Sequence, residues 1–119
     1  MIRGLHAMFY SSQPEALRDF IRDKLGFSAT DVGNGWLIFD IPKAELGIHP
    51  VEKSGQSGPP SGTPYLSFYC DDIRLTVCTL RERGVAFTDE ISDAGYGQVI
   101  HFRMPGDFGA DLYQPAYHK

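Results

Sequence analysis

The sequence predicts an α+β protein assembled from two βαβββ modules, and three observations carry that prediction. Two stretches have apolar residues at helical spacing, each ends at a glycine, and short strand-like runs follow both. A Ser/Gly/Pro-rich stretch, residues 51–63, interrupts the chain near its middle. Residues of the first half also return in the second. Phe9-Tyr10 reappears as Phe68-Tyr69 and Gly26 as Gly84, while Phe39 and Pro42 reappear as Phe102 and Pro105. Module 1 then covers about residues 4–50, module 2 about 64–115, and the chain of 119 residues is read as one domain.

Leu5-His6-Ala7-Met8-Phe9-Tyr10 reads as a first strand, with His6, Met8 and Tyr10 on one face. Ser12 offers an N-cap with Glu15 three residues on, and Pro14 suits a first turn. Leu17, Phe20, Ile21 and Leu25 form the apolar stripe of the helix, and Gly26 stops it. Strands are expected around residues 27–32 and 36–40, joined by the hairpin turn Gly33-Asn34-Gly35, and a fourth run covers residues 44–49. In the second half, residues 65–70 form a strand, and Asp71 or Asp72 caps a helix with Ile73, Val77 and Leu80 inward. Residues 85–88, 98–104 and 111–114 supply the last three strands, with a turn across residues 92–97.

Composition narrows the function classes. Fifteen acidic residues against eleven basic ones give a formal net charge of −4, and no Lys/Arg run stands out, which argues against nucleic acid as a partner. No stretch is long and apolar enough for a membrane span or a signal peptide, so a cytoplasmic protein is expected. Cys70 and Cys78 are then reduced thiols. P-loop, dinucleotide, Gly-x-Ser-x-Gly and Cys-x-x-Cys patterns are all missing from the sequence.

Three segments carry a family resemblance: Leu5-His6-Ala7, Asp23-Lys24-Leu25-Gly26-Phe27, and Met104-Pro105-Gly106-Asp107 with Asp111-Leu112-Tyr113. Together they make the chain resemble the vicinal oxygen chelate superfamily of glyoxalase I, extradiol dioxygenases and bleomycin-resistance proteins. The resemblance implies paired βαβββ modules curved into an open barrel with the helices outside. It also implies a divalent metal (Fe, Zn, Mn or Ni) held on the first and last strands of each module. His6 matches the first-strand histidine and Asp111 the last-strand glutamate. Tyr65 stands where a second histidine is usual, and a phenol with a pKa of about 10 is a poor ligand near neutral pH. On the fourth run Glu45, Gly47 and His49 share a face, and His49 is the best donor.

The implied site therefore has His6, His49 and Asp111 as metal ligands, with Tyr65, His101 and Tyr113 as catalytic groups. Tyr10, Ser67, Tyr69 and Arg103 complete it as substrate contacts. By strand parity Tyr10, Tyr65, Tyr69 and Tyr113 fall on the faces of His6 and Asp111, whereas Phe9, Leu66, Phe68 and Leu112 fall opposite, toward the helices. Trp36 is read as a core or interface residue. Two functions fit this inventory. One is a metal-dependent dioxygenase or glyoxalase-type lyase or isomerase acting on a small oxygen-chelating substrate. The alternative is a metal-free binder of a drug or metabolite, as in the bleomycin-resistance members. In either case the expected partners are a small molecule and a second copy of the chain, and a membrane is not expected.

Overall fold

The computed structural model describes residues 1, 6–50 and 58–118. Its elements are α1 (Pro14–Asp23), β1 (Ala29–Asp31), β2 (Leu37–Phe39), β3 (Ser67–Tyr69), α2 (Ile73–Glu82), β4 (Ser92–Asp93), β5 (Gly97–Met104) and β6 (Phe108–Pro115). β1 and β2 form a two-stranded antiparallel sheet. The other strands form a four-stranded sheet in the order β3-β6-β5-β4, where β3 runs parallel to β6 and the remaining pairs are antiparallel. The α+β class and both helices agree with the sequence. Among the described residues the strands form two separate sheets, and the expected open barrel is not shown.

Alternation along β5 and β6 gives the sheet one apolar face. Ile100, Phe102, Met104, Ala110 and Leu112 meet Leu17, Phe20 and Ile21 of α1 and Ile73, Val77 and Leu80 of α2. Each such side chain removed from water is worth about 1.5–3 kcal/mol, so this layer is the main stabilising feature of the fold. Phe68 joins the two halves, its ring 5.8 Å from that of Phe27 and 6.2 Å from that of Phe102. The helix ends are also tied, because Arg83 Nη1 donates to the Lys24 carbonyl at 3.0 Å.

Local signals shifted by a residue or two. α1 is capped at Gln13 with no side-chain bond, so the Ser12 capping box does not form. Ser11 serves the helix entry instead: its Oγ accepts from the Gln13 N–H and donates to the Pro105 carbonyl. That contact pins the start of α1 to the β5–β6 turn, where Gly106 has φ +108° and a Cβ would fall 2.1 Å from Ser11 Oγ. Only glycine fits that approach. α2 starts as expected, Asp72 Oδ1 accepting from the Leu75 N–H at 3.1 Å.

The strand expectations at the module edges need correction. Residues 6–10 and 44–49 are not strands (Leu5 lies outside the described residues), and residues 51–57 of the expected linker lie outside them too. Alternation chooses a face but supplies no neighbour: Leu46 and Ile48 alternate, yet are 76% and 88% exposed. Residues 85–88 reach β5 only through the bridge Phe87–Phe102 and the bonds flanking it, and the pairing strand β4 lies within the expected turn at 92–97. Trp36 is half exposed, with the Arg18 guanidinium 5.0 Å from its ring centre, and so is not a core residue.

Candidate functional site

The face of the four-stranded sheet away from the helices is polar. Register pairs Ser67 with Asp111 and Tyr69 with Tyr113 across β3 and β6, and His101 with Asp111 across β5 and β6. Arg103, two residues beyond His101, lies opposite Gly109 on the same face. Strand parity therefore gathers Ser67, Tyr69, His101, Arg103, Asp111 and Tyr113 on one side, and Tyr65, just before β3, joins them through its bond to Asp111.

Asp111 is the buried polar residue at the centre of this face, 7% exposed. Tyr65 donates its hydroxyl proton to Asp111 Oδ2. His101 Nε2 lies 3.3 Å from Asp111 Oδ1, and His101 Nδ1 lies 2.7 Å from Asp89 Oδ2. The His101 backbone N–H donates to Asp89 Oδ1 at 2.9 Å. That backbone bond, reinforced by the imidazole contact, pulls the Asp89 carboxyl below its ordinary pKa. Burial first, then the bond to Asp111 and its charge, pushes the Tyr65 phenol far above its ordinary range, so it keeps its proton.

A second polar chain lies further along β6. Tyr113 donates to Glu45 Oε2 at 3.1 Å, Tyr117 donates to the same oxygen, and the two phenol oxygens are 2.8 Å apart. Burial, followed by the contacts to Tyr117 and Glu45, raises the Tyr113 phenol as well. The Tyr69 and Tyr96 rings flank Tyr113 at 6.0 and 5.9 Å. Cys70 lies behind this cluster, its Sγ 3.7 Å from the Tyr113 carbonyl, and burial raises its thiol.

A cleft of about 390 Å3 opens where β3 parts from β6. The parallel ladder begins at Ser67–Asp111, and the residues just before it, Pro64–Leu66 and Phe108–Ala110, diverge to form two walls. Met8, Phe9 and Tyr10 supply a third, with the Phe9 ring 5.6 Å from that of Phe108. Asp111 reaches the cleft and Tyr65 flanks it, 72% exposed. Its lining is mostly apolar, with Tyr10, Tyr65 and Asp111 as the polar side chains.

The metal ligand set expected from the sequence does not assemble. His6 and His49 are exposed, and His49 Nδ1 lies 2.8 Å from the Pro50 carbonyl. Among the described residues no group of three or more His, Cys, Asp or Glu side chains is arranged to hold a metal ion. Both Asp111 oxygens already face a neighbour, Tyr65 or His101. His6, His49 and Asp111 therefore do not fit the implied ion. Sequence reading missed Asp89, Tyr96 and Tyr117. Asp89 lies outside any alternating run, and Tyr117 follows the strand-ending Pro115, so no periodicity marks them.

Residues 4–111 match the Glyoxalase/Bleomycin resistance protein/Dioxygenase superfamily. The chain belongs to that superfamily. No curated protein matches it. Among solved structures, it is similar to TnmS3, an antibiotic binding protein from Streptomyces sp. CB03234, with 24% identity over 98% of this chain and 100% of that one, TM-score 0.65. A superfamily member from Sphaerobacter thermophilus DSM 20745 shares 26% identity over 95% of this chain and 98% of its own, TM-score 0.61. A glyoxalase/bleomycin resistance protein from Streptomyces sp. CB03234 shares 26% identity over 87% and 92%, TM-score 0.56. The superfamily spans metal enzymes and binding proteins, so the fold alone does not assign a reaction. No helix among the described residues is long and apolar enough to cross a membrane.

Proposed function

We propose that this superfamily member, acting as a single domain, binds a small flat or amphipathic organic molecule without a metal and without turnover. The cleft bounded by Phe9, Tyr65, Phe108 and Asp111 is the proposed seat. One observation carries this reading: the best carboxylate for a metal, Asp111, already faces Tyr65 and His101 beside an apolar cleft. The likeness to TnmS3, an antibiotic binding protein, supports it at the level of the fold. The test is elemental analysis of untagged protein and of its His6→Ala and Asp111→Ala variants, alongside a thermal shift with 2-naphthol. Sub-stoichiometric metal insensitive to both substitutions, together with a rise in Tm on adding the probe, is expected. Stoichiometric metal lost in both variants would return the assignment to the metal-dependent enzyme.

The binding unit is proposed to be a homodimer. Leu46 and Ile48 are apolar, uncovered and continuous with Glu45, which reaches the Tyr113 cluster, so a second copy is the proposed cover. Light scattering is expected to give twice the 13.2 kDa chain mass, falling to one chain mass in Leu46→Asp/Ile48→Asp. A wild-type monomer at micromolar concentration rejects this arrangement.

A further inference from the structure

We propose that the cleft selects ligands that donate a hydrogen bond, an aromatic hydroxyl or an amine N–H, over ligands that only accept one. The proposal rests on the binding reading above and concerns the polarity of the site. A tyrosine hydroxyl has one proton and two acceptor lone pairs. The Tyr65 proton is committed to Asp111 Oδ2, so what the phenol offers a ligand is acceptor capacity. Asp111 only accepts when ionised, with Oδ2 engaged by Tyr65 and Oδ1 facing His101 Nε2. Met8, Phe9, Leu66 and Phe108 bring no side-chain donor to the walls. The polar end of this cleft is therefore an acceptor backed by a buried carboxylate, and an aromatic ring fits the apolar remainder.

An acceptor-only ligand would place its lone pairs against those of Tyr65, and a carboxylate would also meet the charge of Asp111. The opposing influences on this face are Arg103, opposite Gly109, and the Tyr10 hydroxyl at the exposed mouth. The naphthoate arm of the test below reads their influence directly. A phenol with an ordinary pKa of about 10 keeps its proton at neutral pH, so the polarity is fixed there.

Three probes of one shape test the proposal by calorimetry at pH 7: 2-naphthol, its methyl ether 2-methoxynaphthalene, and 2-naphthoate. One satisfied hydrogen bond predicts that 2-naphthol binds about tenfold tighter than the ether. Naphthoate is expected to be weakest. In Tyr65→Phe/Asp111→Ala the preference for the hydroxyl should shrink to about threefold or less, since the phenol acceptor and the carboxylate behind it are both gone. Equal binding of naphthol and ether by the wild type, or naphthoate binding best, overturns the donor rule and leaves the binding reading intact. An undiminished preference in Tyr65→Phe/Asp111→Ala overturns the assignment to this pair. Failure of all three probes to bind overturns both readings together.

Discussion

Phe102→Ala is expected to lower the unfolding free energy by about 3–5 kcal/mol, the usual cost of deleting a large buried ring. Phe102 is 1% exposed and lies mid-way along β5. Its ring centre is 6.3 Å from that of Phe20 on α1, 6.2 Å from Phe68 on β3 and 5.9 Å from Phe87. One truncation therefore empties the point where a helix, the edge strand and the segment after α2 all pack on the sheet. Small domains carry about 5–15 kcal/mol in total, so the variant should be marginal or unfolded at 37 °C. Urea denaturation followed by circular dichroism, at one protein concentration, measures the difference. Phe102→Leu keeps most of the volume and should lose about 1.5 kcal/mol or less. A loss below about 1 kcal/mol for Phe102→Ala would mean that the core is organised elsewhere.

The residues that made the fold legible are those whose signal is local. Leu17, Phe20 and Ile21, and likewise Ile73, Val77 and Leu80, recur at helical spacing because a helix must bury one stripe, and these residues are the buried ones. Gly33-Asn34-Gly35 joins β1 to β2 because the turn needs positive φ, as Asn34 has at 53°. Parity grouped Tyr65, Tyr69, Asp111 and Tyr113 on one face because a strand alternates with period two. What parity lacks is the identity of the neighbour. The alternation in residues 44–49 reads as a strand, yet no ladder forms, because a strand needs another strand beside it. The expected His6, His49 and Asp111 set meets the same limit: the correct face on each of three segments does not fix the distances between them, and among the described residues no such group comes together. The Asp89–His101 contact joins side chains on two segments with no shared periodicity, so only coordinates reveal it.

Asp111→Asn should separate the two roles of the buried carboxylate. Asparagine keeps the shape and one acceptor oxygen, but it replaces the other with an amide that donates. Either the Tyr65 hydroxyl or His101 Nε2 then faces the amide instead of a carboxylate oxygen. Loss of a charge-assisted bond predicts a destabilisation of about 1.5–3 kcal/mol at pH 7. The effect on pH dependence has a definite sign. A tyrosine whose folded pKa lies above its unfolded value of about 10 favours the folded state only while protonated. That contribution is complete below about pH 10 and is lost as pH rises toward the folded pKa, because the unfolded chain releases the proton first. Wild-type stability should therefore fall more steeply between pH 9 and 11 than that of Tyr65→Phe, which has no proton there to lose. The Tyr113 phenol, also raised, is common to all the proteins and cancels in the comparison. Burial is the larger cause at Tyr65 and Asp111 the smaller, so Asp111→Asn should lie between the other two. With Tyr65 72% exposed, solvent screening keeps the spread among the three slopes modest, which calls for urea titrations at closely spaced pH values. Parallel stability curves for the wild type and Asp111→Asn alone, with Tyr65→Phe shallower, would show that the Tyr65–Asp111 bond does not persist in solution, removing the basis for the acceptor assigned to Tyr65.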